Sequence, residues 1–296
     1  MLTLTRPEGT QPGDLNLSRR SLGGLMFFGY AAAALSAEAS PIVTPEEGLV
    51  CGPIDFTGWA PEGAYPPSLP AYVARPQGSG PFPVVIVVNE IFGLHAYIQD
   101  VCRRLARQGY AAMAPGYFAR SGDPSRLTEF EPILAMVRAA RHPQVMGDTA
   151  AALDWLRAQP WADADRAGIT GFCWGGTVVW MAVADLPFRC GAAWYGRLVG
   201  GENAEPDRDY PADAAGRLRG PVLGLYAEND RGIPLESVET MRAALSAAGK
   251  ADSEIIVYPG AQHGFHADYR ATYDRAAAED AWSRMLALFE RELKAG

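Results

Sequence analysis

Short apolar runs alternate with longer stretches of helical spacing along this chain, and the first strong run is VVIVVN at 84–89. A continuous β-branched run is the pattern of a strand buried on both faces. Further strands are predicted at 110–114, 167–171, 190–195, 221–227 and 253–258, with two extended segments before them at 50–56 and 71–75. Apolar positions at helical spacing predict helices over 98–108, 128–140, 145–158, 174–184, 235–248 and 271–294. Gly109 stops the first of these, and Arg141-His142-Pro143 separates the second from the third. Residues 200–219 are polar and charged and read as a long surface connection. Strand and helix in alternation imply an α/β fold, a mostly parallel sheet with helices on both faces, in a single domain.

Composition narrows the function classes. With 48% hydrophobic residues in 296, the chain can bury one large core. A formal charge of -8 leaves no basic stripe to neutralise phosphates, which argues against nucleic-acid binding. Cys51, Cys102, Cys173 and Cys190 show neither C-x-x-C nor Cys/His spacing, so no structural zinc site is expected.

The N-terminus changes the picture of location. Ser18-Arg19-Arg20-Ser21-Leu22 precedes the apolar, small-residue run GGLMFFGYAAAALSA, and Ala37-Glu38-Ala39 closes it. Twin arginines, a short hydrophobic region and an A-x-A site read as a twin-arginine-type export signal over 1–39. The run is too short and glycine-rich for a comfortable membrane span. The expectation is a periplasmic mature domain over 40–296 that keeps no membrane span; if the leader is not a signal, the protein is cytoplasmic.

Candidate chemistry begins at GITGFCWGG, 168–176. Gly171-Phe172-Cys173-Trp174-Gly175 has the shape of the G-x-S-x-G nucleophile elbow with sulfur in place of the hydroxyl. The glycines are required because side-chain bulk on either flank of so tight a turn would collide with neighbouring backbone. The next helix points its N-terminal amides at the sulfur, which favours the thiolate. In isolation such a motif also fits a buried structural cysteine. Two residues further along the chain add weight to the catalytic reading. Asp230 comes just after the 221–227 strand, and His263 just after the 253–258 strand, giving the order nucleophile, acid, base found in α/β-hydrolases. Glu228 is the alternative acid; Asp230 is favoured by its place at the loop tip. His95, at a helix start, and His142, in a turn, compete weakly with His263, and His266 is expected beside the pocket. Glu90 ends the strongest strand, where a solvated loop charge is the ordinary reading. In α/β-hydrolases that loop supplies an oxyanion-hole amide, which makes the Ile91 and Trp174 N–H groups the natural donor pair.

Taken together, NEIFGL, PGYFAR, GFCWGG, ENDRGIP and AQHGFHADYR resemble the dienelactone hydrolase (carboxymethylenebutenolidase) family from about Pro83 to the C-terminus. The resemblance implies a single α/β-hydrolase domain, no metal or other cofactor, and a Cys-His-Asp triad that opens enol-lactones through a thioester. Residue by residue, it implies Cys173 as nucleophile, His263 as base and Asp230 as its orienting partner. It implies Glu90 as a glutamate beside the thiol that keeps the resting cysteine neutral. Arg120 matches an arginine that grips a substrate carboxylate. The family's second arginine falls at Ala267 here, and Arg270 is the nearest candidate. Tyr117 and Tyr195 could line the pocket, with Trp194 in aromatic packing. The alternatives are a broad-specificity small-ester or lactone esterase on the same residues, and a non-catalytic exported ligand-binding protein on a hydrolase scaffold. The expected partner is a small lactone or ester.

Overall fold

The computed structural model describes residues 41–201 and 208–295. The predicted leader therefore lies outside the described residues, as does 202–207 of the surface connection. Eight strands form one sheet: β1 (Leu49–Thr57), β2 (Ser68–Pro76), β3 (Phe82–Val88), β4 (Ala111–Pro115), β5 (Ala162–Phe172), β6 (Cys190–Trp194), β7 (Val222–Ala227) and β8 (Glu254–Tyr258). Their spatial order is β1-β2-β4-β3-β5-β6-β7-β8. The β1–β2 and β2–β4 pairs are antiparallel, and every other pair is parallel.

The helices are α1 (Ala96–Arg107), α2 (Phe130–Ala139), α3 (His142–Arg157), α4 (Trp174–Asp185), the short α5 (Pro211–Ala214), α6 (Leu235–Ala247) and α7 (Arg275–Phe289). Side chains of α1 and α7 share a cavity on one face of the sheet. On the other face α3, α4, α5 and α6 contact one another in succession. This is the α/β-hydrolase arrangement expected from the alternation.

Burial explains the elements. Val84 to Val88 are fully buried, because β3 lies between β4 and β5 with helices on both faces. From Gly175 to Ala184 every residue of α4 is buried, which suits a stretch whose residues other than Thr177 are all apolar. By contrast α1 buries one stripe, including Ile98, Val101, Cys102 and Leu105, while Arg103 and Arg104 bind the Asp100 carboxylate and Arg107 is exposed.

Two sequence expectations shift. The surface connection contains α5, whose Asp213 side chain accepts from the Tyr210 amide at 3.0 Å. The last helix starts at Arg275, not near 271, because the Asp274 carboxylate caps the Ala277 amide at 3.1 Å. Residues 264–270 instead fold inward, and Phe265, His266, Ala267, Asp268 and Tyr269 are all buried.

The consequence for function is geometric. In a parallel run β3, β5, β6, β7 and β8 all end at one edge. Glu90, Cys173, Tyr195, Asp230 and His263 come after those five ends in turn. The chain order reverses around β3, which lies between β4 and β5; such switch points open a crevice at the strand carboxyl ends.

Candidate active site

Cys173 occupies the single residue between β5 and α4, with φ 54° and ψ −116°. Such a conformation strains an L-residue and holds its side chain away from the sheet. The turn closes through Cys173 N–H donating to Trp194 O at 2.9 Å and Gly176 N–H donating to Cys173 O at 2.9 Å. The flanking glycines are sterically required. A Cβ on Gly171 would stand 2.5 Å from Gly175 O, and one on Gly175 would stand 2.5 Å from Val88 O.

His263 meets the elbow from the loop after β8. Its Nδ1–H donates to Asp230 Oδ2 at 2.6 Å. Asp230 is itself fixed, since Oδ1 accepts from the Gly232 and Ile233 amides at 2.8 and 3.1 Å. Glu228, the alternative acid, turns elsewhere and accepts from Gly260 N–H at 2.8 Å. Burial works against a charged His263 ring. The Cys173 charge and hydrogen bond and the Asp230 carboxylate outweigh it, raising the pKa from 6.5 to about 10. The imidazole is thus bonded to the Asp230 carboxylate, and its pKa also responds to the Cys173 sulfur. The amides of Ile91 and Trp174, at the same edge, donate to no backbone acceptor among the described residues.

Cys173 also differs in burial from Cys102 and Cys190, as Cys51 does. All four cysteines are free. Cys102 and Cys190 are fully buried, and burial pushes their pKa values far up, while Cys173 is only partly buried.

Three expected site residues are each held by other side chains of the protein. Arg120 is bound to Asp148 through both terminal nitrogens and also donates to Trp59 O at 2.6 Å, so its charge is matched within the protein. Tyr117 is fully buried, with its hydroxyl on Thr149 Oγ1 at 2.9 Å and its ring against Trp174 at 5.8 Å. Glu90 has both oxygens engaged: Oε2 with His95 Nε2 at 2.9 Å, and Oε1 accepting from the Tyr269 hydroxyl at 3.1 Å. Burial alone would raise its pKa, but His95 and then Arg270 hold it below the usual carboxylate value.

Arg270 and Tyr195 are the other two residues expected to bind substrate. The Arg270 side chain lies along the backbone of Gly264 and over the Phe92 ring, at 5.8 Å from its centre. Burial opposes its charge, yet the nearby Tyr269, Cys173 and Glu90 charges raise its pKa further. Tyr195 packs edge-on against His263 at 5.1 Å, and its buried hydroxyl has no hydrogen-bond partner of normal geometry among the described residues. Burial and the Glu90 charge push its pKa well up, so it stays a neutral O–H donor. His266 is buried, its Nδ1 shared with the Tyr97 hydroxyl at 2.6 Å, and it lines a separate cavity of about 310 Å³ that includes Trp282. Trp194 is fully buried against Phe172 and His266, as expected of a packing residue. Among the described residues no group of three or more His, Cys, Asp or Glu side chains could hold a metal ion.

The dienelactone hydrolase family profile matches residues 69–293. This chain belongs to the dienelactone hydrolase family. Similar proteins include an Escherichia coli K12 protein named "Putative carboxymethylenebutenolidase", 45% identical over 266 residues, covering 89% of this chain and 95% of that one. A Bradyrhizobium protein named "Probable 2-oxo-3-(5-oxofuran-2-ylidene)propanoate lactonase" is 31% identical over 228 residues, covering 77% of this chain and 91% of that one. A crystal structure from Klebsiella pneumoniae, described as a "Putative Dienelactone Hydrolase", superposes with a TM-score of 0.75 at 44% identity, covering 82% of this chain and 99% of that one. As a dienelactone hydrolase family member, the protein is a hydrolase acting on ester bonds.

Proposed function

We propose that the protein opens enol-lactones through a Cys173-His263-Asp230 triad and a thioester intermediate. The observation that carries this reading is the 2.6 Å His263–Asp230 bond beside a cysteine on a strained elbow, with two amides free of backbone acceptors at the same edge. Cys173 sulfur attacks the lactone carbonyl carbon. The C–S bond forms, and the carbonyl electrons move onto oxygen, which rests on the Ile91 and Trp174 amides. Collapse breaks the ring C–O bond, and the His263 imidazolium gives its proton to the leaving oxygen. Water then attacks the thioester with its proton passing to His263, and thiolate leaves. Asp230 keeps the imidazole in the Nδ1–H tautomer throughout.

Sulfur fits a substrate whose leaving group is already stable. A thiolate is expelled as easily as it attacks, so poor alkoxides and amides should return to starting material. An enol-lactone leaves as a resonance-stabilised enolate. The Bradyrhizobium relative's name describes a lactone of this kind bearing a propanoate group, and Arg270 supplies a guanidinium for such a carboxylate. With Arg120 tied to Asp148, the carboxylate is gripped from one side only, which also favours small esters of looser shape. Export rests on the leader sequence alone.

A panel of carboxylated enol-lactones, neutral lactones and short aryl esters, run on wild type and Cys173→Ala, tests the proposal. Carboxylated enol-lactones should turn over fastest, and Cys173→Ala should lose at least about 10³-fold in kcat. Near-normal turnover by Cys173→Ala would end the triad reading.

A further inference from the structure

The cavity of about 310 Å³ between α1 and α7 is not used by the triad. Its lining includes Arg104, His266, Tyr273, Trp282 and Leu286, and none of Cys173, Asp230, His263, Ile91 or Trp174. Its volume falls at the small end of ligand pockets, which run from about 300 to 1,000 Å³. The segment that folds inward after His263 supplies its polar floor. Asp268 of that segment is bonded to Arg104 on α1, and His266 sits between two tryptophans, Trp194 at 4.4 Å and Trp282 at 5.4 Å. His266 is only 3% exposed. Its ring stacks on Trp282 and on Phe172 with interplanar angles of 16° and 20°, and its Nδ1 is engaged by the Tyr97 hydroxyl at 2.6 Å. The other ring nitrogen, Nε2, has no hydrogen-bond partner among the described residues and is not sealed from solvent. The opening it has is the cavity that the ring lines.

Charge and chemistry select the occupant. Burial and the Arg104 charge hold the His266 pKa well below its ordinary value, so the ring is neutral. Nε2 then either donates or accepts one hydrogen bond, according to the tautomer, and a ligand hydroxyl serves both cases. The cation of the lining, Arg104, is already bound to Asp100 and Asp268, and the exposed Glu279 adds a negative charge at the solvent side. An anion would enter with no free counter-charge to meet it. The remaining walls are aromatic or aliphatic, which suits a flat apolar body. We propose that this cavity is a second binding site, for a small neutral aromatic molecule carrying a hydroxyl, bounded by the Tyr273 and Trp282 rings and hydrogen-bonded to His266 Nε2. The site is independent of which residue carries the acyl group.

The test is calorimetric titration of the full chain with 2-naphthol at neutral pH, where the probe is uncharged, and with 2-naphthoate as an anion of similar shape. One saturating site is expected for 2-naphthol, and 2-naphthoate should bind at least about tenfold more weakly. His266→Phe keeps a ring in the stack and removes the nitrogen, and should weaken 2-naphthol binding at least about fivefold. Ser283 lines the cavity from α7 and is exposed, so Ser283→Trp fills the opening from the surface. That variant should lose 2-naphthol binding while its ester turnover stays within about twofold of wild type. Cys173→Ala should bind 2-naphthol as wild type does, which separates this cavity from the catalytic crevice. If His266→Phe does not fold, Ser283→Trp decides alone. No saturation up to about 1 mM, tighter binding of 2-naphthoate, loss of binding in Cys173→Ala, or undiminished binding in Ser283→Trp overturns the proposal. Failure of the triad reading would show as turnover independent of Cys173 and would leave the 2-naphthol isotherm unchanged.

Discussion

Cys173 holds a strained backbone, with φ 54°, and the strain can be weighed separately from the chemistry. A non-glycine residue in that region costs about 1–3 kcal/mol, and glycine adopts it freely. Cys173→Gly and Cys173→Ala should both be inactive, yet the glycine variant should be about 1 kcal/mol more stable to urea. Equal stabilities would mean that the elbow stores no strain. Asp230 acts on the neighbouring residue. Asp230→Asn keeps the shape but can present an amide to His263 Nδ1, favouring the wrong tautomer, and kcat should fall by about 10⁴-fold. The sign of the pH effect comes from the His263 pKa, raised to about 10. An imidazolium that must protonate the leaving oxygen is present below that value and lost as pH rises through it. The alkaline limb of kcat/KM, which reports the free enzyme, should therefore lie near pH 10 in the wild type and move to lower pH in Asp230→Asn. A limb that stays in place would contradict the coupling.

At the scale of elements, the junction of β3, β5 and α4 decides whether the site exists. A Cβ at Gly175 would press on the carbonyls of Val88 and Asn89, at 2.5 and 2.7 Å. Gly175→Ala should cost about 1–3 kcal/mol in a urea melt and displace the Ile91 amide, lowering kcat with little change in KM. Unchanged stability and kcat would show that the close packing is not needed. The same junction explains what was legible in the sequence. Each parallel strand is a short apolar run, and Cys173, Asp230 and His263 each come within a few residues of a run's end, so their meeting could be read from order alone. Three features could not. Arg120 and Tyr117 lie in a matching motif, but their partners Asp148 and Thr149 are on α3, far along the chain. The 264–270 segment has the polar composition of a loop and is buried. His95 stands at a helix start, and only the turn at Gly93 brings it under Glu90. A glutamate with glycine and histidine close behind it was the available signal, and it has no direction until the turn is known.

Across the whole molecule, the parallel strands concentrate chemistry at one edge while the N-terminal segment secures the flank. Thr44 donates its backbone N–H to the buried Asp100 carboxylate at 2.6 Å, and Arg107 donates to Pro45 O at 2.9 Å. Asp100 also binds Arg103 and Arg104 on α1. A chain begun at Ser40 keeps all these bonds and should match the full-length protein in urea midpoint and kcat. A chain begun at Gly48 loses the Thr44 bonds and should be destabilised by about 1–2 kcal/mol. Matching stability of the two would mean that the segment contributes nothing. Among the described residues no helix is long and apolar enough to cross a membrane.

The whole mechanism depends on Cys173 carrying the acyl group. Intact-protein and peptide mass spectrometry on enzyme quenched in acid during turnover of an enol-lactone tests this most directly. The predicted result is a mass increase equal to the whole opened substrate, since the ring-opened leaving group stays attached to the acyl chain, located on the Cys173 peptide and absent in Cys173→Ala. Turnover at full rate with Cys173 never acylated, or acylation on another residue, would contradict it.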